Sequence, residues 1–442
     1  MNGTLPKPIE RHKKGWWFVL LPTLAVWLGW GVRGQIGFAT GAMIPGALLG
    51  LALAVLLKEK QVSPGLLAGL TAVGFGFGAD ETTLQTAGYL MGSNPDHVVN
   101  LGLAYSGLAL KGALWAMFGG VGLGLGLAAY LYRKRDIVIG MLLLIAAFYV
   151  GVWTINRPML LYFSLDRPEI WAGLLLGGIT LLTWLTLRGG TRIPLVLAAC
   201  AALGGGVGYP IAVTLAAAGM HSSLVGYDWW KLAETTFGAF IGAGVGLGAY
   251  LVKDHLPSRQ EPPQPPTLQA WQWWGSIIGG ALLAAAATGM YRNLLPWIIL
   301  GSMLWCAAYS WKQVAWQIGV TMTFFATAAN VVTFWHREQR FGNAALFWVL
   351  AALATLLVSW KVAGWCAESD RAAARNAFLF LLWALYILSC LKTFINSAVV
   401  NASPQALAAA GGRWPYLLHA WGSGLLVQGG FTAAVLALTW MV

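Results

Sequence analysis

Charge is what this sequence has least of: only 10% of its 442 residues are Asp, Glu, Lys or Arg, where soluble domains carry about a quarter. With 58% hydrophobic residues beside it, that scarcity excludes an ordinary soluble chain. Acidic residues are rarer still, 15 against 27 Lys plus Arg. The net charge of +12 invites a nucleic-acid reading, but the basic residues sit in short clusters between apolar runs and do not line one face of a soluble module. Membrane lipids are expected as partners, and nucleic acid is not. Cysteine is scarce too. Cys200, Cys306, Cys366 and Cys390 lie in or beside apolar runs without paired or metal-type spacing, which argues against a disulfide framework or a zinc site. No metalloprotease helix, nucleophile elbow or Walker loop occurs, so no catalytic residue, metal or cofactor is assigned and an enzyme is the less favoured class.

What the chain has instead is apolar runs of about 20 residues, the length of a membrane-crossing helix. They are continuous, not alternating, which excludes a transmembrane β-barrel. The expected fold is an all-α polytopic membrane protein. The predicted spans are 16–33, 40–57, 64–91, 107–132, 137–155, 169–187, 193–219 and 231–252, then 271–290, 294–311, 313–335, 343–364, 375–394 and 415–440, about 14 transmembrane helices in all. Residues 1–15 form a basic tail, and no small-residue cleavage pattern follows the first run, so it reads as a retained helix. The segment 254–270, with Pro257, Pro262, Pro263, Pro265 and Pro266, reads as a linker between an eight-helix unit, 16–253, and a six-helix unit, 271–442.

Orientation follows from the positive-inside rule. In the first unit one side collects Lys7 to Lys14, Lys58, Lys60, Arg133, Lys134, Arg135, Arg188, Arg192, Lys253 and Arg259, against Arg33, Arg157 and Arg167 on the other. The tail and the linker are expected in the cytoplasm, the chain in a cell inner membrane. Beyond the linker the bias is weak.

The first unit also repeats itself. Gly122 to Leu131 (GLGLGLAAYL) matches Gly242 to Leu251 (GAGVGLGAYL), 120 residues on, and Lys111 falls on Lys231 at the same offset. Shorter glycine echoes run in the same order, which predicts a tandem 4+4 repeat, 16–133 and 137–253. An even number of spans per half makes the repeat parallel. Much of the glycine, 56 residues, is expected to serve close helix packing.

Charges inside apolar runs are costly and therefore mark sites. Arg33 lies at the end of the first run between Gly31 and Gly34, with Gln35 beside it and Trp30 before it. The comparable place in the second half holds Trp153, Asn156 and Arg157. Asp80 and Glu81 are expected near the middle of the third span, about 100° apart on a helix, so that one can pair with Arg33 while the other faces a cavity. The matching place in the seventh span holds Tyr209 before Pro210, a predicted helix break, and Glu234 lies early in the eighth.

These residues point to a secondary transporter of a small polar solute, anionic if Arg33 and Arg157 contact it. Asp80 or Glu81 would be the carboxylate that binds a coupling proton or sodium ion, and Trp30 and Trp153 the aromatic lining. A membrane flippase or transferase on a lipid-linked phosphate is the alternative. A non-catalytic subunit is a third reading, in which the last six helices dock a partner or a second copy.

Overall fold

Sequence that must lie in lipid can satisfy its backbone only internally, and the described residues form helices and no named strand. The computed structural model describes residues 15–36, 41–79, 86–87, 90, 101–160, 163, 169–222, 228–258, 370–395, 404–409 and 411–442. Asp80, Glu81, most of the linker and the four predicted spans between 271 and 364 lie outside the described residues.

The helices are α1 (Trp17–Ile36), α2 (Met43–Leu56), α3 (Pro64–Gly78), α4 (Leu101–Leu127), α5 (Lys134–Gly151), α6 (Trp171–Gly189), α7 (Ile193–Met220), α8 (Trp229–Val252), α9 (Asp370–Ile395), α10 (Pro404–Ala409) and α11 (Arg413–Met441). Their ends follow local chemistry. Proline opens α3 and stands in the first turn of α7, where its missing N–H has no helical partner to lose. Asp228 caps α8, and Gly190, at φ 58°, closes α6 in the left-handed conformation that glycine adopts without strain. A π turn, Val152–Asn156, and a last turn, Arg157–Met159, prolong α5.

Five of these segments, Leu101–Leu127, Lys134–Met159, Trp171–Gly189, Ile193–Met220 and Trp229–His255, are long and apolar enough to cross a membrane. The 14 residues of α2 and 15 of α3 reach only about 21–23 Å at 1.5 Å per residue, short of the roughly 30 Å apolar core. The third helix ends at Gly78 with Ala79 as its cap, and Asp80 and Glu81, expected near the middle of that span, lie outside the described residues. The expected break at Pro210 is absent, because α7 runs through that residue to Met220. Neighbouring groups compensate a proline inside such helices.

Six helices close a ring: α1 packs on α2, α2 on α3, α3 on α4, α4 on α7, α7 on α8, and α8 back on α1. Helices α5 and α6 pair outside it, with α6 against α4 and α7, while α9 covers α2. Every residue of α2 is buried as a result. The ring takes four helices from the first predicted half and two from the second, so the halves are not packed as equivalents. Its interior is aromatic. Trp30 of α1 lies 5.7 Å from Phe75 of α3, 5.1 Å from Trp115 of α4 and 4.9 Å from Phe237 of α8, and Tyr209 of α7 lies 4.7 Å from Phe237 with its ring tilted.

The outside is apolar as well. Leu203, Val207, Ile211 and Leu215, four residues apart on α7, are all exposed. A soluble monomer would not show such a stripe to water. At one end of the bundle Lys60 Nζ donates to Leu256 O at 3.2 Å, tying the α2–α3 turn to the segment after α8.

Candidate functional site

At the other end of the ring α1 finishes and the antiparallel α8 begins, which brings Arg33 opposite the first turns of α8. Asp228 starts that helix by accepting from the Lys231 N–H at 2.9 Å. Lys231 thus stands in the first turn, where the helix dipole disfavours a cation by about 0.3–1 kcal/mol, and it is buried. A placement so unfavourable locally needs a partner. Lys231 Nζ donates to Glu234 Oε2 at 2.5 Å and to the Gly31 carbonyl at 3.2 Å. Gly31 has no room for a side chain, since a Cβ there would lie 2.4 Å from Phe431 of α11 and 2.9 Å from Thr235.

The other oxygen of Glu234, Oε1, lies 3.5 Å from Arg33 Nη1. Arg33 is 18% exposed, its guanidinium carbon is 5.2 Å from the centre of the Trp115 ring, and its Nε is buried without a hydrogen-bond partner among the described residues. Two cations therefore share one carboxylate above the aromatic interior. Truncating the cap tests how the site is held: Asp228→Ala is expected to cost about 1 kcal/mol, the usual worth of an N-cap, read from unfolding of the purified protein in detergent.

A second charged cluster lies one helical turn from Trp115. Lys111 of α4 is fully buried and donates to Glu169 Oε1 and, at 2.9 Å, to Thr86 Oγ1. Glu169 precedes α6, and its Oε2 accepts from the Phe163 N–H at 2.7 Å. The pair pins the segment before α6 onto α4.

Of the residues singled out in the sequence, the structure brings together Arg33, Glu234, Trp30 and Tyr209. It sets Asn156, Arg157 and Trp153 apart, on the outer helix α5. Arg157 is exposed over the Trp153 ring at 4.1 Å, and Trp153 is itself 56% exposed. The counterpart proposed for Arg33 is thus on another face, because α5 lies outside the ring. Asn156 is buried and holds α6 in place, its Oδ1 accepting from the Ala172 N–H at 3.1 Å. Gln35 lies in the last turn of α1 with its side chain outside the described residues, as are Asp80 and Glu81. Lys111, Lys231 and Glu169 were not among the expected site residues. For the two lysines a signal existed, a cation inside a long apolar run; Glu169 lies in a polar segment and gave none.

These features define a multi-pass helical membrane protein with buried ion pairs inside a helix ring. No protein-family model matches the chain, and searches of curated proteins and of solved structures give no match.

Proposed function

We propose that this chain is a secondary transporter that carries a small anionic solute across a cell inner membrane. The observation that carries the proposal is the imbalance of Arg33 and Lys231 against Glu234 in the ring. A buried charge without a partner costs several kcal/mol, and such charges in membrane helices mark substrate or ion pathways. An anion at Arg33 supplies what the cluster lacks. The cluster joins α1 of the first predicted half to α8 of the second, in keeping with a solute bound between two halves. Lys111 and Lys231, 120 residues apart and each paired with a glutamate, support an internal repeat whose halves have since come to pack differently.

Asp80 and Glu81 are the proposed coupling carboxylates for a proton or sodium ion. The end of the bundle bearing Lys58, Lys60 and Lys253 is proposed to face the cytoplasm by the positive-inside rule. Packing of Arg33 against Glu234 of α8 and Trp115 of α4 favours transport over work on a lipid-linked substrate, which requires an opening to lipid. Uptake of radiolabelled small anions into proteoliposomes tests the reading. Arg33→Gln is expected to abolish uptake, whereas Asp80→Asn or Glu81→Gln is expected to remove its dependence on an ion gradient. Uptake and gradient dependence intact in both carboxylate variants would show that neither couples.

A further inference from the structure

We propose that the Arg33–Lys231–Glu234 cluster is the seat of one monovalent oxyanion, and that the protein moves this anion by exchange, one inward for one outward. The exchange half rests on the transport reading above; the binding half does not.

Charge balance sets the valence. Lys231 and Arg33 contribute two positive charges and Glu234 one negative, and both oxygens of Glu234 are already engaged, Oε2 by Lys231 at 2.5 Å and Oε1 by Arg33 at 3.5 Å. The cluster carries one surplus positive charge. A monoanion brings it to neutrality, a dianion overshoots, and an uncharged solute leaves the surplus in place. Donor geometry sets the chemical class. A guanidinium offers five N–H donors in a planar fork that matches a carboxylate or a phosphate through two parallel hydrogen bonds. Arg33 spends Nη1 on a contact at the limit of hydrogen-bond length and leaves Nε buried and unpaired. Trp115 stands against the guanidinium, which leaves the edge of the fork for the anion.

The same balance dictates exchange. A transporter must carry its site between two faces of a low-dielectric barrier, and a net charge is costly to carry there. Loaded with a monoanion the cluster is neutral and passes; empty, it keeps its surplus charge and returns slowly. An anion on the far side removes that slow step by loading the site for the return.

Inorganic phosphate slightly below neutral pH, where the dihydrogen monoanion prevails, and sulfate, a dianion of the same tetrahedral shape, are the probes. At equal ionic strength, phosphate is expected to raise the melting temperature of the detergent-purified protein more than sulfate does. The increment is expected to vanish in Arg33→Gln and to survive weakened in Arg33→Lys, which keeps the charge without the fork. Equal shifts from both anions, or the same shift in Arg33→Gln as in the parent, would overturn the seat. In proteoliposomes loaded with radiolabelled phosphate, external phosphate is expected to speed efflux several-fold. Efflux at one rate with and without external phosphate overturns exchange and leaves the transport reading standing. Stabilisation by phosphate with no phosphate movement overturns exchange and transport together and leaves the anion seat.

Discussion

Glu234→Gln is expected to destabilise the folded protein by about 3–5 kcal/mol, the usual cost of removing one partner from a buried ion pair. Two cations then face each other with no carboxylate between them, Arg33 on α1 and Lys231 on α8. Gln can accept from one of them but neutralises neither. The penalty is smaller when the surplus is removed first. In an Arg33→Gln background Lys231 and Glu234 form a balanced pair, and Arg33→Gln alone is expected to cost far less than Glu234→Gln. The double variant Arg33→Gln with Glu234→Gln leaves one buried cation in place of two, so it is expected to be more stable than Glu234→Gln alone. A double-mutant cycle on unfolding free energies in detergent reads this coupling directly. Strict additivity would mean that Arg33 and Glu234, 3.5 Å apart, do not act on each other.

The residues of that cycle show how far the site was legible in the sequence. Helix positions were readable, because apolar runs bounded by charge or proline mark them: the spans predicted at 169–187, 193–219 and 231–252 differ from α6, α7 and α8 by only a few residues at each end. Arg33 and Glu234 were each visible as a charge in an apolar run. Their pairing was not, since 201 residues separate them and nothing local records which helices become neighbours. Nearness in sequence favoured Asp80 and Glu81 as partners for Arg33, whereas ring closure supplies Glu234. Arg157 looked equivalent to Arg33 by its place after a Trp at a helix end, but equivalence along the chain does not fix packing, and α5 stands outside the ring. Tyr209 was found for the wrong reason. It mattered as an aromatic neighbour of Phe237, while the proline after it was absorbed within α7.

The register that joins Arg33 to Glu234 is set further down the same two helices, so a substitution there is expected to disable the site from a distance. Gly238, Gly242 and Gly246 form one stripe on α8, and a Cβ on each would lie 2.7 Å from Val26 O, 2.5 Å from Pro22 O and 2.1 Å from Phe18 O of α1. Positions on α8 rise by four as those on α1 fall by four, which is an antiparallel seam of backbone against backbone. Continued toward the site, that register sets Glu234 opposite Trp30 and Lys231 opposite Arg33. Gly242→Leu places a branched side chain where even a methyl group meets a backbone oxygen that cannot rotate away. Overpacking costs about 1–3 kcal/mol for extra methylenes that side chains can partly absorb; here the obstacle is main chain, and loss of the folded protein is the expected outcome. Gly242→Ala is the graded test. Alanine gains about 1 kcal/mol over glycine in helix propensity, so a net loss of stability isolates the clash. Gly429→Ala on α11, where a Cβ would meet nothing within 4 Å, is expected to be neutral or stabilising. If Gly242→Ala matched Gly429→Ala in melting temperature, the seam would not be holding α1 to α8. If instead Gly242→Ala folds but loses stability, the anion-dependent rise in melting temperature is expected to weaken with it, because prising α1 from α8 lengthens the contact between Arg33 and Glu234 two turns above.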